Sequence, residues 1–275
     1  MSTNPEAGPR SHGSFSERVA VVVGGGSGIG RAVAEGLARQ GANIVVADFD
    51  VPRMERTVEE VLKLGTAQAA IALATDVRSD ASVRSLARDA VKSMGRVDVV
   101  VNAAGVLLQG KTDKISGDDW SWMLETNLVG TVRTSTAFLP HMTARGSGHI
   151  VNVVSYGGLV AGDPTTLPYD TGDAAVAAFT EGLARQLQAS GVLVSIFCPG
   201  AKGPRIGQNT RSRGIGRLFS SPDKGPDASL QLEHLASALI EGLHYPRFLI
   251  LGDPSEAPLL KARLDHFESV GLGRP

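Results

Sequence analysis

The stretch Val19–Gly30, VAVVVGGGSGIG, is the part of the chain that decides its fold. Its first five residues are apolar and mostly β-branched, which is typical of a strand buried on both faces of a parallel sheet. Glycines dominate the turn that follows, and Arg31–Gln40 then has apolar residues at helical spacing. Such a turn favours an anionic group, because glycine backbone allows close approach and the helix dipole attracts negative charge. We therefore expect a pyrophosphate to be held by the turn residues Gly24, Gly26, Ser27, Gly28, Ile29 and Gly30.

An acidic residue follows the second apolar run of the sequence. Asn43–Ala47 (NIVVA) leads directly into Asp48, which lies eighteen residues after Gly30. A carboxylate in this place accepts hydrogen bonds from both hydroxyls of an adenosine ribose and repels a 2′-phosphate. The glycine turn contains no Arg or Lys that would hold an additional phosphate. The pattern favours NAD over NADP as the cofactor, and a glycine loop that binds no phosphate is the alternative.

Composition limits the classes of protein that fit this chain. The 275 residues suit one α/β domain, and 27 basic residues balance 28 acidic ones, so that no nucleic-acid partner is indicated. The single Cys198 excludes an intrachain disulfide and a cysteine-rich metal site, and we expect no metal. The sequence has neither an apolar stretch of membrane-spanning length nor an apolar signal core, so we expect a cytoplasmic protein with no membrane partner.

Segments with strand and helix patterns alternate along the chain. Further strands are predicted over Ala69–Ala74, Val97–Asn102, His149–Val154, Val192–Cys198 and Arg247–Leu251, and helices over Pro52–Leu64, Asp80–Met94, Asp118–Met142, Tyr169–Gln188 and Leu230–Leu243. This alternation predicts a doubly wound (Rossmann) α/β fold, with helices on both faces of a seven-stranded parallel sheet. Residues 1–14 are expected to be a disordered tail. Residues 15–275 are expected to form one domain, with a substrate lid over about residues 201–229.

Several segments, in chain order, carry a resemblance to a known family. They are the glycine turn (with Val23 where the family has threonine), Asp76-Val77, Asn102-Ala103-Ala104-Gly105, Asn127, Ser155, Tyr169 and Pro199-Gly200. In this order they resemble the motifs of the short-chain dehydrogenase/reductase family of the single-domain type. The resemblance implies that Asp76 and Val77 contact adenine and that Asn102, Ala103, Ala104 and Gly105 support the sheet beside the cofactor. It also implies that Pro199 and Gly200 lie at the nicotinamide end.

The resemblance further implies a chemistry for the remaining motif residues. Hydride passes between the nicotinamide and a carbonyl or alcohol carbon of a small-molecule substrate. Tyr169 gives or takes the hydroxyl proton, and Ser155 holds the substrate oxygen. Asn127 lies in a kinked helix and holds a water that belongs to the proton relay.

The chain departs from the family pattern four residues after the tyrosine. The family has a lysine there, which contacts the ribose and lowers the tyrosine pKa, whereas this sequence has Asp173. One helical turn places positions 169 and 173 on the same face. A cation about 5 Å from a phenol is worth roughly 3 kcal/mol at an effective dielectric near 20, or about two pKa units. We therefore expect Tyr169 to be neutral at neutral pH and a poor general base, with Asp173 as the altered member of the catalytic set.

A second departure follows the sixth strand, where Lys202 and Pro204 replace the valine and threonine of the family's PGxVxT. The motifs favour an NAD-dependent oxidoreductase with a modified proton relay. Two alternatives stay open: a dinucleotide-binding homologue with non-redox chemistry (cyclisation, isomerisation or elimination), and a catalytically silent binding subunit. Asp163, Asp170, Lys202 or Arg205 would supply further charged groups near the site, although each is also explained as a capping or solvated residue. By analogy with relatives, we expect a homodimer or homotetramer that assembles through the two long helices.

Overall fold

The computed structural model describes residues 14–160, 162–200, 209–216 and 226–261. Its strands are β1 (Val19–Val23), β2 (Asn43–Asp48), β3 (Ala70–Ala74), β4 (Val99–Asn102), β5 (Leu107–Gly110), β6 (Gly148–Val153), β7 (Val192–Cys198), β8 (Thr210–Arg213) and β9 (Leu249–Leu251). Its α-helices are α1 (Gly28–Arg39), α2 (Val51–Lys63), α3 (Asp80–Met94), α4 (Gly117–Leu124), α5 (Gly130–Arg145), α6 (Tyr156–Leu159), α7 (Leu167–Gln186), α8 (Pro226–His244) and α9 (Ala257–Lys261). One sheet has seven parallel strands in the order β3-β2-β1-β4-β6-β7-β9. The predicted seven-stranded parallel sheet is confirmed.

The central strand β1 shows why its sequence contains no polar residue. All five of its side chains are buried. Ala20 and Val22 pack into a core with residues of α1, α2 and α8, whereas Val19, Val21 and Val23 pack into a second core with residues of α3, α5 and α7. A polar side chain on either face of this strand would lose its contact with water at a cost in stability. The predicted covering of both sheet faces by helices is therefore confirmed.

The long helix predicted over Asp118–Met142 is interrupted near its middle, at the position of Asn127 where the family resemblance implies a kink. Between α4 and α5 the chain forms a π-helical turn over Glu125–Val129, and α5 then continues as a regular helix. A π turn contains one more residue than an α turn and is often found at functional sites. This turn carries Asn127, whose Oδ1 accepts the Val106 N–H and whose Nδ2 donates to the Val106 carbonyl, both at 2.9 Å. The turn therefore fixes the start of β5.

The strands β5 and β8 form a second, two-stranded parallel sheet that the sequence does not predict. The segment from Tyr156 to Pro168, which reads as a loop, contains α6 and a 3₁₀ turn over Pro164–Thr166. Further 3₁₀ turns cover Thr112–Lys114 and Pro254–Glu256. Residues 1–13 of the predicted tail and most of the predicted lid, including Lys202, Pro204 and Arg205, lie outside the described residues. No helix in the described ranges has both the length and the apolarity needed to span a membrane.

Candidate active site

A cleft of about 1410 Å³ lies at the carboxyl edge of the main sheet. Its walls include residues at or just after the C-terminal ends of six strands, namely Gly24, Asp48, Thr75, Ala103, Ser155 and Pro199. Strand order reverses between β1 and β4, and ligands of open α/β sheets bind at such a switch point. The sequence-predicted residues that line this cleft are Gly24, Gly26, Ser27, Gly28, Ile29, Asp48, Asp76, Val77, Ala103, Ala104, Gly105, Asn127, Ser155, Tyr169, Asp173, Pro199 and Gly200. Gly30 and Asn102 are not among the lining residues.

The glycine turn is closed on the side of the sheet and open on the side of the cleft. At Gly24 (φ +80°) a Cβ would lie 2.5 Å from the Ala104 nitrogen, and at Gly30 it would lie 2.3 Å from the Gly24 carbonyl oxygen. At Gly28 (φ +51°) a Cβ would meet nothing within 4 Å. The helix α1 begins at this residue, and the side chain of Ser27 makes no capping hydrogen bond. The turn therefore leaves helix N–H groups available for an anion.

Asp48 holds the turn in shape from the end of β2. Its Oδ2 accepts the Gly26 N–H at 2.9 Å, and its Oδ1 accepts the Asp50 N–H at 3.0 Å. Each oxygen of an ionised carboxylate has a second lone pair, so both can still accept ribose hydroxyls. Arg53 and Arg56 of α2 line the same part of the cleft. Asp48 thus combines a structural contact with capacity for a ligand.

The part of the cleft beside Asp76 contains an arginine whose importance the sequence does not reveal. Arg78 donates to both carboxylate oxygens of Asp76, at 2.9 and 2.8 Å. This arginine lowers the pKa of Asp76 despite partial burial of the carboxyl. Val77 is buried and packs closely against Gly130, where an added Cβ would lie 2.7 Å from the Val77 Cγ2. The pair Asp76-Val77 is therefore fixed by an ion pair on one residue and by packing on the other.

Asn102 lies beneath the cleft, where it joins a buried polar network. Its Nδ2 donates to Ser135 Oγ at 3.0 Å and to Asn152 Oδ1 at 2.8 Å. Asn152 in turn donates to Thr180 Oγ1 at 2.9 Å. These four side chains connect β4 and β6 with α5 and α7. Since α5 follows the π turn and α7 carries Tyr169, the network fixes both elements relative to the sheet.

One part of the cleft, which we call the reaction end, brings Ser155, Tyr169 and Asp173 together. Asp173 Oδ2 accepts the Ser155 N–H at 2.7 Å, and the Ser155 hydroxyl and the Tyr169 phenol lie close enough to its carboxyl to lower its pKa. The Ser155 Oγ accepts the Gly158 N–H at 3.3 Å as the cap of α6. A Cβ at Gly158 would lie 2.6 Å from the Asp173 Cβ, so α6 can approach α7 this closely only with glycine there.

Burial controls the protonation of this set. Asp173 is buried, which raises the pKa of its carboxyl to about 6 although hydrogen bonds from Ser155 oppose the rise. Burial likewise raises the pKa of Asp170 to about 6, against a hydrogen bond from Thr166. Burial, followed by the charges of Asp173 and Asp170, raises the pKa of Tyr169 well above 10. The phenol is therefore neutral at neutral pH, and the two carboxyls change charge near pH 6.

Three further side chains near the reaction end differ in their contacts and in their burial. Asp163 is exposed and accepts two hydrogen bonds from Thr165, one from its hydroxyl at 2.6 Å and one from its N–H at 2.8 Å. These hydrogen bonds lower the pKa of Asp163. Burial raises the pKa of Cys198 to about 12, which does not suit a nucleophile. Glu256 is buried close to Gly200, where a Cβ would lie 3.0 Å from its Oε2. No local sequence pattern indicates that Glu256 lies beside Gly200, because it is a single acidic residue after the last strand. Among the described residues, no group of three His, Cys, Asp or Glu side chains could hold a metal ion.

Comparison with known proteins identifies the family. Residues 18–213 match the family model described as short chain dehydrogenase. The chain is 30% identical over 245 residues to an uncharacterized oxidoreductase of Staphylococcus saprophyticus, an alignment that covers 89% of this chain and 99% of that protein. It resembles a short chain dehydrogenase/reductase from Burkholderia phymatum in complex with NAD (TM-score 0.77, 28% identity, 94% and 96% coverage). It also resembles actinorhodin polyketide ketoreductase with NADPH (TM-score 0.62, 33% identity, 66% and 69% coverage). Because the family model matches well over half of the chain, this protein belongs to the short chain dehydrogenase family.

Proposed function

We propose that this protein is an NAD-dependent oxidoreductase that interconverts a small carbonyl compound and its alcohol through a modified proton relay. The observation that carries the proposal is that Ser155, Tyr169 and Asp173 line the same cleft as the glycine turn, with Asp173 bonded to the Ser155 N–H and close to the Tyr169 phenol. The family membership and the NAD complex of the Burkholderia phymatum relative support it. The homodimer or homotetramer belongs to the same proposal and rests on the family resemblance alone, and the cytoplasmic location is an expectation from the sequence.

The glycine turn fits the pyrophosphate of a dinucleotide. Gly24 keeps the turn against the sheet, Gly28 faces open cleft, and the first N–H groups of α1 have no side-chain cap at Ser27. Asp48 would bind the adenosine ribose, and Pro199 and Gly200 would lie beside the nicotinamide. When bound, the dinucleotide supplies a hydride to the substrate carbon or accepts one from it.

The protein's own residues would manage the substrate oxygen and its proton. Ser155 would hold the oxygen by a hydrogen bond, and Tyr169 would donate the proton that converts the reduced carbonyl into an alcohol. Since the pKa of Tyr169 is raised well above 10, the phenol is a proton donor and a poor base. The arrangement therefore favours reduction of a carbonyl over oxidation of an alcohol at neutral pH.

Asp173 would set the pH dependence of that donation. When ionised, its carboxylate attracts the hydroxyl hydrogens of Ser155 and Tyr169, which then point away from a substrate. When protonated, it no longer competes for these hydrogens and can return a proton to the phenol oxygen. Because the pKa of Asp173 is about 6, the rate of reduction should fall as pH rises through that value.

The experiment measures NADH consumption with a panel of small aldehydes, ketones and oxo acids over a range of pH. Tyr169→Phe should lower the rate by about 100-fold to 10,000-fold, because it removes the proton donor, and should leave the NADH dissociation constant unchanged. The control is Tyr245→Phe, which alters an exposed tyrosine outside the cleft. A Tyr169→Phe variant with full activity, or a rate that increases as pH rises through 6, contradicts the proposal.

One observation favours a second candidate function. A buried carboxyl lies against the Tyr169 phenol where a redox relay benefits from a cation. This arrangement suits a homologue that binds the dinucleotide and performs cyclisation, isomerisation or elimination. Stoichiometric NAD binding without hydride transfer to any substrate of the panel would favour this candidate, or a silent binding subunit, over an oxidoreductase.

A further inference from the structure

Two arginines of β8, Arg211 and Arg213, differ in what their guanidinium groups contact. Arg213 binds Asp119 in bidentate fashion, with Nε 2.8 Å from Oδ2 and Nη2 2.6 Å from Oδ1. Arg211 Nη1 lies 3.7 Å from Asp119 Oδ1, beyond hydrogen-bond distance. Its guanidinium donates no hydrogen bond to any residue within the described part of the chain. One guanidinium is therefore committed to a carboxylate, whereas the other keeps its N–H donors available.

The guanidinium of Arg211 is oriented by an aromatic ring. The Cζ of Arg211 lies 3.8 Å from the ring centroid of Trp122. Stacking fixes the plane of the guanidinium and leaves the N–H groups at its edge directed outward. Both side chains line the candidate active-site cleft. The cleft wall thus carries a pre-oriented set of donors for a planar acceptor.

This wall belongs to the reaction end of the cleft. Arg211 is paired in register with Leu108 of β5, and β5 begins directly after Val106. The side chain of Asn127 holds both backbone groups of Val106 at 2.9 Å. The position of Arg211 is therefore tied to the π turn and not to the glycine turn. An anion bound here would belong to the substrate and not to the cofactor's phosphates.

The local charge suits a monoanion. Arg211, Arg213 and Asp119 together carry a net charge of +1 when all three are ionised. Asp119 stays ionised at neutral pH because the hydrogen bonds of Arg213 lower its pKa to about 2. Its nearby negative charge disfavours a phosphate dianion more than a carboxylate. A planar carboxylate also matches the fork of a guanidinium with two parallel hydrogen bonds.

We propose that Arg211, stacked on Trp122, binds a carboxylate of the substrate, so that the substrate class is an oxo acid or hydroxy acid. The carboxylate site stands on the contacts of Arg211, whereas the assignment of a carbonyl to the same molecule rests on the proposed function. Arg211 is then a specificity-determining residue that selects against neutral carbonyl compounds. Its loss should weaken binding of a carboxylate about tenfold to 100-fold, as expected for a charge-assisted pair.

The test uses calorimetry on the full chain in the presence of NAD, with two matched pairs of probes. They are benzoate against benzamide and pyruvate against pyruvamide, and phenyl phosphate serves as a dianion. In the wild type, at least one acid should bind about tenfold more tightly than its amide. Arg211→Gln should abolish this preference, and Arg211→Lys should keep part of it. The control is Arg185→Gln, which removes an exposed arginine paired with Glu181 on α7 and should change nothing.

Three results would overturn the carboxylate site. They are equal binding of acid and amide in both pairs, a preference that survives in Arg211→Gln, and tighter binding of phenyl phosphate than of benzoate. Thermal melting of each variant checks that it is folded. NAD affinity, measured in the same samples without probes, separates the two proposals: loss of the acid preference with intact NAD binding refutes only the carboxylate site. An acid preference in a chain that does not bind NAD refutes only the proposed function.

Discussion

The two ends of the cleft are built in different ways. The part of the cleft at the glycine turn, which we call the nucleotide end after its proposed ligand, consists mainly of backbone. It contains the glycine turn and the start of α1, and the carboxylate of Asp48 supports it by accepting two backbone N–H groups. The reaction end consists of side chains, with the Tyr169 phenol beside Asp170 and Asp173, whose pKa values are raised to about 6. The first end has a fixed shape, whereas the second changes its charge close to neutral pH. A fold can therefore keep the geometry for binding a dinucleotide while the chemistry beside it changes.

The largest effect on cofactor binding is expected when a methyl group is added to the glycine turn. In Gly28→Ala the new Cβ meets no atom within 4 Å, but it projects where the turn must approach a phosphate. The NAD dissociation constant should rise on the order of 100-fold in calorimetry, which corresponds to about 3 kcal/mol.

The control for this variant is Gly65→Ala. Gly65 also has a positive φ (+69°) and open space around a Cβ, but it does not line the cleft. Both variants should lose a similar amount of stability, on the order of 1 kcal/mol, because alanine is strained in this conformation. Equal NAD affinity of the two variants would show that the glycine turn does not bind the cofactor.

A smaller effect is expected from Asp48→Ala. The change removes the acceptor for ribose hydroxyls and the contact with the Gly26 N–H. NAD affinity should fall about tenfold to 50-fold, and NADP affinity should fall less, because the repulsion of a 2′-phosphate is also removed. In contrast, Asp50→Ala removes the N-cap contact to Arg53 of α2 and should lower stability by about 1 kcal/mol without changing NAD affinity. If Asp48→Ala lowers the affinities for NAD and NADP equally, Asp48 does not bind the adenosine ribose.

The smallest effect sharpens the description of the reaction end. The folded-state pKa of Asp173 is about 6, above its ordinary value of 3.8, so ionisation of its carboxyl opposes folding. The free energy of unfolding should therefore fall as pH rises from about 4 through about 6. Asp173→Asn removes the contribution of this carboxyl and leaves that of Asp170, and it should gain about 1–2 kcal/mol relative to the wild type above that range, as measured by urea unfolding.

The matched variant for this prediction is Asp163→Asn, which has the opposite sign. Hydrogen bonds with Thr165 lower the pKa of Asp163, so its ionised form stabilises the folded protein. That contribution is present above its ordinary pKa and is lost as pH falls through the lower folded-state value. Asp163→Asn should therefore lose stability at neutral pH. If Asp173→Asn is also less stable than the wild type at neutral pH, the buried carboxylate stabilises the fold and the electrostatic account is wrong.

The sequence predicts the nucleotide end in detail because that end is local. The strand, turn, helix and acid follow one another within Val19–Asp48, and each has its own short-range signal. The parallel direction of the sheet follows from the strand–helix alternation. Only the first residues of α1 are placed differently, since the glycines at its start hide its beginning at Gly28.

The reaction end is less predictable because it depends on contacts between distant segments. Helical spacing places Tyr169 and Asp173 on one face, but it does not show that the carboxyl is buried or that it accepts the Ser155 N–H. The apolar spacing of the long helix does not locate the π turn, and only the resemblance at Asn127 implies a kink there. The strands β5 and β8 have four residues each and lie about a hundred positions apart in the sequence. No turn pattern next to either strand therefore predicts that the two pair.

The ion pair between Asp119 and Arg213 has a consequence for experiments in mild acid. It joins β8 to the start of α4, where Asp119 also accepts the Ser116 hydroxyl at 3.1 Å. Because the pKa of Asp119 is about 2, this attachment persists in solutions acidic enough to neutralise Asp170 and Asp173. The small sheet that carries Arg211 stays in place while the groups around the phenol lose their charge. Catalysis that changes with mild acidification therefore records proton chemistry, because the wall facing the substrate keeps its architecture.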